Sequence, residues 1–157
     1  LSQIEKKYGK DVRIVFKHNP LPFHKDAPLA AQAGIAAGKQ GKFWPMHDRL
    51  FENPKALSDE NITGYAKSIG VDMGKWTECY KSGKHKAKIQ KQQSTAVSLG
   101  ARGTPAFFIN GRFLSGAQPF PSFKTLIDEE LAKAKKSGIK KADYYKKAVI
   151  EKGSKKI

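Results

Sequence analysis

The stretch that decides the fold is Gly103-Thr104-Pro105-Ala106-Phe107-Phe108-Ile109-Asn110-Gly111. The Asn-Gly pair favours the left-handed backbone of a two-residue hairpin turn, and the aromatic and β-branched residues before it favour a strand. The sequence therefore predicts a strand at residues 104–109 that is entered through a proline. A tight turn then leads to a returning strand at 112–115, which Gly116 closes.

A second strand is predicted at residues 12–18, Val-Arg-Ile-Val-Phe-Lys-His. Its near-continuous apolar character favours burial on both faces, as in a sheet covered by helices. Pro20 and Pro22 end this strand, because proline cannot donate a hydrogen bond to a central ladder. Before it, residues 1–8 are predicted to be the end of a helix that Gly9 caps.

The rest of the chain is predicted to be helical. An all-helical region covers about residues 26–100, with Asp26 or a neighbour and Ser58 as candidate N-caps, and C-terminal helices cover about 120–153. This order of elements predicts a mixed sheet covered by helices, with an all-helical insertion. At 157 residues, the chain is predicted to form a single domain, 1–157.

Lysine and arginine outnumber aspartate and glutamate by 30 to 14, which gives a net charge of +16. Such an excess suits either a polyanion-binding protein or a solvated surface. The C-terminal lysines are interleaved with apolar residues at helical spacing, so we interpret them as a solvated helix face. Any polyanion binding is expected to be weak and to disappear between about 50 and 200 mM salt. No apolar run is long enough for a membrane span.

Cys79 is the only cysteine of the chain, so no internal disulfide can form. We interpret it as a partly buried helix residue. His47, between Trp44 and Phe51, is interpreted as a packing residue rather than a general base, and these aromatic residues as core. No metal site and no cofactor are expected, because metal-ligand spacing is absent from the four histidines, His18, His24, His47 and His85.

Several motifs occur in a characteristic order. They are Leu-Pro-Phe-His at 21–24, an alanine-rich helix, Gln-Gly-Lys-Phe-Trp at 40–44 followed by His47, the stretch at 103–111, and Gly-Ala-Gln-Pro at 116–119. Taken together, and over essentially the whole chain, they resemble the DsbA-like thioredoxin family, whose members are extracytoplasmic thiol–disulfide oxidoreductases.

The resemblance implies an α/β, thioredoxin-like fold with an all-helical insertion, from which the first strand and the redox motif are missing. Family members begin with a strand that runs into Cys-x-x-Cys at the start of a long helix, and Leu1 is expected to fall inside that helix. Thiol–disulfide exchange by this family needs both thiols. The chain is therefore expected to lack the catalytic dithiol and to be inactive alone.

A missing first strand has a structural consequence. In the family, that strand lies between the two strands seen here at residues 12–18 and 106–110. These two segments are therefore expected to flank a vacant strand position about 9–10 Å wide, twice the usual strand spacing, and not to pair directly.

The resemblance also implies where substrate binds. Thr104 and Pro105 are expected to be joined by a cis bond beside the redox motif, with the backbone of Thr104 pairing with a substrate peptide. His24 could contact the redox site, although a structural role as a helix cap is favoured. The implied substrates are cysteine-containing exported polypeptides, and the implied location is periplasmic or otherwise extracytoplasmic. A redox partner protein is implied as well, whereas a specific nucleic acid is not expected.

Two other functional classes stay open. The chain could be a non-catalytic thioredoxin-fold module that binds peptides or proteins at Thr104 and Pro105. The less favoured class is a basic polyanion-binding protein, because few arginines and no nucleic-acid motif accompany the lysines.

Overall fold

The computed structural model describes residues 1–152, which form two compact units. The sheet unit consists of Leu1–Phe16 and of the residues from Ala96 onward. The helical unit consists of Lys17–Thr95. The predicted end of the last helix at Gly153 lies outside the described residues.

The described chain is mainly helical and contains a two-stranded sheet. In chain order the helices are α1 (Ser2–Tyr8), α2 (Ala27–Gly38), α3 (Phe43–Glu52), α4 (Asp59–Ser68), α5 (Met73–Lys81), α6 (Lys86–Ser98), α7 (Phe120–Lys136) and α8 (Lys141–Tyr144). The strands are β1 (Ala106–Ile109) and β2 (Arg112–Ser115). A 3₁₀ turn, Gly9–Asp11, follows α1, and a π-helical turn, Tyr145–Ile150, follows α8.

Side-chain caps explain where two helices of the helical unit begin. Ser58 Oγ accepts a hydrogen bond of 3.3 Å from the N–H of Asn61 at the start of α4, as predicted. At the start of α5, Asp72 Oδ1 accepts a hydrogen bond of 3.0 Å from the N–H of Lys75. Such caps satisfy N–H groups that have no partner within the helix. Asp26 occupies the N-cap position of α2, as predicted, but its side chain makes no capping hydrogen bond.

The core of the helical unit lies between α2, α3, α4 and α5. Three alanines of α2 are completely buried and allow the neighbouring helices to approach closely: Ala33, Ala36 and Ala37. The largest fully buried side chains are Trp76, Met46 and Ile62. Each large apolar side chain buried in this way contributes about 1.5–3 kcal/mol relative to exposure.

The hairpin of the sheet unit forms as predicted. Asn110 and Gly111 both have positive φ angles, 48° and 91°, which is the signature of the turn that matches the twist of two antiparallel strands. Phe107, Ile109 and Leu114 point to one face of the hairpin, where α1 and α7 supply the buried residues Ile4, Tyr8, Phe123 and Ile127.

Residues 12–18 do not form the predicted strand. The segment is extended at Val12, where φ is −124° and ψ is 136°. Burial alternates along it instead of being continuous, and Val15 is 54% exposed. The sheet among residues 1–152 contains β1 and β2 alone, so this segment belongs to no ladder and is not a strand.

The last helix also differs from the prediction. It begins at Lys141 and widens into a π-helical turn, in which the N–H of Glu151 donates a hydrogen bond of 3.0 Å to Lys146 O. Nothing in the sequence indicates this widening. Within residues 1–152, no helix is both long and apolar enough to cross a bilayer.

Candidate functional site

The peptide bond between Thr104 and Pro105 is cis, the geometry that the resemblance implies. Both residues are exposed and lie directly before β1 in the sheet unit. The N–H of Gly116 donates a hydrogen bond of 2.9 Å to Pro105 O, which extends the hairpin ladder by one pair. Thr104 is thereby held at the entrance to β1 while its own backbone stays open to solvent.

The register of the hairpin defines which backbone groups of β1 are free. Ile109 is opposite Arg112 across the two-residue turn, and Phe108 is opposite Phe113. Hydrogen-bonded and non-hydrogen-bonded pairs alternate in an antiparallel ladder, and the pair that flanks a two-residue turn is hydrogen-bonded. The N–H and C=O groups of Phe108 and Ala106 therefore point away from β2, towards an edge that pairs with no strand of residues 1–152.

Thr104 continues this free edge. Among residues 1–152, no hydrogen bond to its backbone N–H or C=O is present. The free edge thus consists of the backbone groups of Thr104, Ala106 and Phe108. Unpaired edge groups of this kind are a template for the addition of another extended chain.

The segment at residues 12–16 shares its apolar packing partners with the hairpin of the sheet unit. Val12 and Ile14 pack against the cluster of buried residues of α1 and α7 to which Phe107 and Leu114 also contribute. The alternate side chains, including Arg13, point the other way and are exposed. The segment and β1 therefore share one apolar support without forming a ladder with each other.

The other face of the hairpin carries an exposed aromatic pair. The rings of Phe108 and Phe113 lie 5.1 Å apart, and the two residues are 42% and 44% exposed. They occupy a non-hydrogen-bonded pair, in which opposite side chains come closest. An apolar side chain of a chain added at the free edge could therefore pack against Phe108.

Polar contacts fix the hairpin onto α7. Arg112 Nη1 donates hydrogen bonds to Glu129 and to Glu130, and Asn110 Nδ2 donates one of 3.5 Å to Glu130 Oε2. Burial opposes the ionisation of Glu130, but the hydrogen bond and charge of Lys133, at 2.6 Å, together with the other donors hold its pKa below the usual value. The carboxylate of Glu130 is thus ionised and anchors the turn.

Cys79 lies in α5 and is buried, with 8% of its surface exposed, in agreement with the expected buried helix position. Its Sγ is 3.3 Å from His85 Nε2. No pattern in the sequence indicates this contact, because it depends on how the residues around Gly83 reverse the chain between α5 and α6. Burial, reinforced by the charges of Lys39, Lys84 and Lys88, lowers the pKa of His85 and favours its neutral imidazole.

The other three histidines differ in their surroundings. His47 stacks on Phe51 with ring centroids 4.3 Å apart and contacts Asp48 through Nδ1, which supports its role in packing. His18 is buried against Phe43, and His24 is exposed. The predicted core positions of Trp44 and Phe51 are wrong, since these residues are 39% and 66% exposed. Within residues 1–152, no three His, Cys, Asp or Glu side chains are grouped as metal ligands.

Comparison with known proteins identifies a family and several proteins of similar sequence. A family model described as a DSBA-like thioredoxin domain matches residues 1–128. A protein of Bacillus cereus named "Probable disulfide bond formation protein D" is 31% identical over 144 residues, which cover 85% of this chain and 65% of that protein.

Two other similar proteins carry the name of a transporter. The Na(+)/H(+) antiporter NhaA of Herminiimonas arsenicoxydans is 38% identical over 110 residues, which cover 70% of this chain and 17% of that protein. Na(+)/H(+) antiporter NhaA 1 of Salinispora arenicola is 32% identical over 123 residues, 78% of this chain and 19% of that protein. The chain therefore spans less than a fifth of the length of these antiporters.

Proposed function

Because the chain belongs to the DSBA-like thioredoxin domain family, we propose that it is the substrate-binding part of a thiol–disulfide oxidoreductase. The proposed substrates are cysteine-containing polypeptides exported from the cytoplasm, and the proposed location is periplasmic or otherwise extracytoplasmic. Thr104 and Pro105 are the proposed substrate-binding residues. A redox partner protein would reset the dithiol after each turnover.

The observation that carries this proposal is the free edge at Thr104, Ala106 and Phe108. Thr104 is exposed, and its backbone groups have no partner in the described chain. An extended peptide can pair with such groups through its own backbone, so recognition would depend little on the sequence of the peptide. Low sequence dependence suits an enzyme that must act on many exported proteins.

The dithiol of this chemistry must come from outside the chain. A single thiol, Cys79, can form a mixed disulfide but has no second thiol in the chain to resolve it. We therefore propose that a Cys-x-x-Cys motif and the strand that leads into it are supplied by residues that this sequence does not contain. That strand would pair with the free edge of β1 on one side and with residues 12–16 on the other, on the apolar support of α1 and α7.

A peptide-binding experiment tests the substrate site. An unfolded cysteine-containing peptide should shift the amide resonances of Thr104, Ala106 and Phe108 more than those elsewhere in the chain. The matched control is the same peptide with alternate backbone nitrogens methylated, which keeps the side chains but blocks strand pairing. Equal shifts with both peptides, or shifts confined to lysine-rich helices, would disprove pairing at this edge.

An activity assay tests the source of the dithiol. The 157-residue chain should not accelerate reduction of insulin by dithiothreitol, whereas a longer protein that adds a strand and Cys-x-x-Cys should. The control is the longer protein with both added cysteines changed to serine, which should be as inactive as the chain alone. Turnover by the chain alone that Cys79→Ser abolishes would contradict the proposal.

A non-catalytic binding module is the second candidate. The single cysteine favours it, because the peptide-binding edge does not need a thiol. The two candidates differ in one observable property, namely whether the protein that contains this chain carries two cysteines separated by two residues. If it does not, peptide binding at Thr104 without redox activity becomes the favoured function.

A further inference from the structure

A cleft in the helical unit is formed by residues of α2 and the turn that follows it, of α5 and of the loop before α6. Its volume is about 560 Å³. The lining comprises Ala36, Lys39, Gln40, Lys75, Glu78, Cys79, Lys84 and His85. The cleft therefore brings the only thiol of the chain, an imidazole and three lysines to one concave surface.

The thiol and the imidazole are positioned for proton transfer. Cys79 Sγ lies 3.3 Å from His85 Nε2. Ser82, which follows α5, donates a hydrogen bond of 2.8 Å to Cys79 O and accepts one of 3.3 Å from the N–H of Lys84. These contacts stabilise the turn that places His85 beside the thiol.

The charge of the cleft favours an anionic ligand. Within residues 1–152, Lys39 and Lys84 have no carboxylate within ion-pair distance. Lys75 is 3.5 Å from Asp72, and Glu78 is the single acidic residue of the lining. The lining thus has an excess of positive charge, and a concave site with an excess of one sign concentrates ligands of the other sign.

We propose that this cleft is a thiol-modification site, at which Cys79 forms a mixed disulfide with a small disulfide that bears carboxylates. The Cys79 sulfur attacks one sulfur of the ligand, a bond forms between these two atoms, and the S–S bond of the ligand breaks. His85 Nε2 receives the Cys79 proton and passes it to the departing thiolate, which leaves as a thiol. Cys79 is oxidised and the departing sulfur is reduced, so no other oxidant is needed. Lys39 and Lys84 bind the carboxylates.

The chemistry can be measured on the chain as it is, because every adduct must be on Cys79. Intact mass follows the rate of adduct formation with oxidised glutathione, which is anionic, with hydroxyethyl disulfide, which is neutral, and with cystamine, which is cationic. At low salt, oxidised glutathione should react about tenfold faster than cystamine. Physiological ionic strength should reduce this preference, because the Debye length falls to about 8 Å.

Two variants separate the role of charge from that of the imidazole. The double variant Lys39→Gln, Lys84→Gln should lower the rate of adduct formation with oxidised glutathione about tenfold. Its rate with hydroxyethyl disulfide should not change. The matched control is Lys55→Gln with Lys67→Gln, two exposed lysines of the same unit that do not line the cleft, and it should behave as the parent chain. His85→Gln should lower the rate of adduct formation with all three disulfides, including the neutral one.

Three results would overturn the proposal. They are the absence of an adduct on the folded chain under conditions that modify the urea-unfolded chain, a rate with cystamine that equals or exceeds that with oxidised glutathione, and equal effects of the two double lysine variants. Because all four substituted lysines are exposed, their replacement should leave the fold intact, which circular dichroism checks independently of reactivity.

Discussion

The phenol of Tyr8 donates a hydrogen bond of 2.8 Å to Asp128 Oδ1, across 120 positions of sequence. It ties α1 to α7 within the sheet unit. Burial, and then the hydrogen bond and charge of Asp128, raise the pKa of Tyr8 to about 12. The neutral phenol is therefore the form that the folded state favours.

Tyr8→Phe is expected to lower the free energy of unfolding by about 1 kcal/mol at neutral pH, because the Asp128 carboxylate loses a donor. The contribution is complete below the unfolded-state pKa of about 10 and is lost as the pH rises through about 12. Urea denaturation at neutral and alkaline pH measures both effects. Tyr144→Phe is the control, since no partner of its hydroxyl is present in the described chain. If Tyr144→Phe lowers the free energy of unfolding as much as Tyr8→Phe does, the hydrogen bond of Tyr8 is not the cause.

His18 should make the protein sensitive to mild acid. Burial, followed by the charge of Lys88, lowers its pKa to about 4, while the unfolded chain binds a proton below about pH 6.5. The stabilising effect of the neutral imidazole is therefore complete above about pH 6.5 and is lost as the pH falls towards 4, by about 2 kcal/mol at pH 5. Denaturation between these pH values should show this slope in the parent chain and a flatter one in His18→Gln. The exposed His24→Gln should keep the parent slope; if it flattens the slope equally, His18 is not responsible.

Gly111→Ala and Gly64→Ala should change stability in opposite directions. Gly111 has a φ of 91°, which an alanine adopts only with strain, so the substitution should destabilise by about 1 kcal/mol or more. Gly64 lies inside α4, and a Cβ there would meet no atom within 4 Å. Alanine should stabilise that helix by about 0.5–1 kcal/mol. Thermal unfolding of both variants measures these changes. If Gly111→Ala leaves the stability unchanged, the turn does not set the register of the hairpin.

Two helix starts that look alike in sequence should respond differently to truncation. Ser58→Ala removes the acceptor for the N–H of Asn61 and should cost about 1 kcal/mol. Asp26→Ala removes a side chain that caps nothing and should stay within about 0.5 kcal/mol of the parent. Chemical denaturation of the two variants side by side is the measurement. Equal losses would show that Asp26 caps α2 in solution.

Short stretches of the sequence are enough to predict several features of the fold. The Asn110-Gly111 turn and the capped start of α4 at Ser58 depend on a few adjacent residues, and the structure has both as predicted. Each follows from backbone preferences that no distant contact needs to complete.

Features that depend on pairing could not be predicted in the same way. Residues 12–18 have the composition of a strand, but a strand exists only where a second chain segment supplies hydrogen bonds. The contact of Cys79 with His85 depends on the direction in which a turn returns the chain, and no periodic pattern encodes it. The predicted binding site at Thr104 came from motif resemblance, while the free edge beside it became evident from the register of the hairpin.

The segment at residues 12–16 has a consequence for proteolysis. Proteases bind their substrates as extended chains, and residues 12–15 belong to no helix or strand of the described chain, with Val12 already extended. Arg13 offers trypsin a cleavage site, which its contact with the ring of Tyr145, 4.5 Å away, only partly covers. A nick there would leave α1 attached through Tyr8 and its apolar neighbours. A strand seated beside this segment would occupy the same backbone groups and make the chain resistant to cleavage.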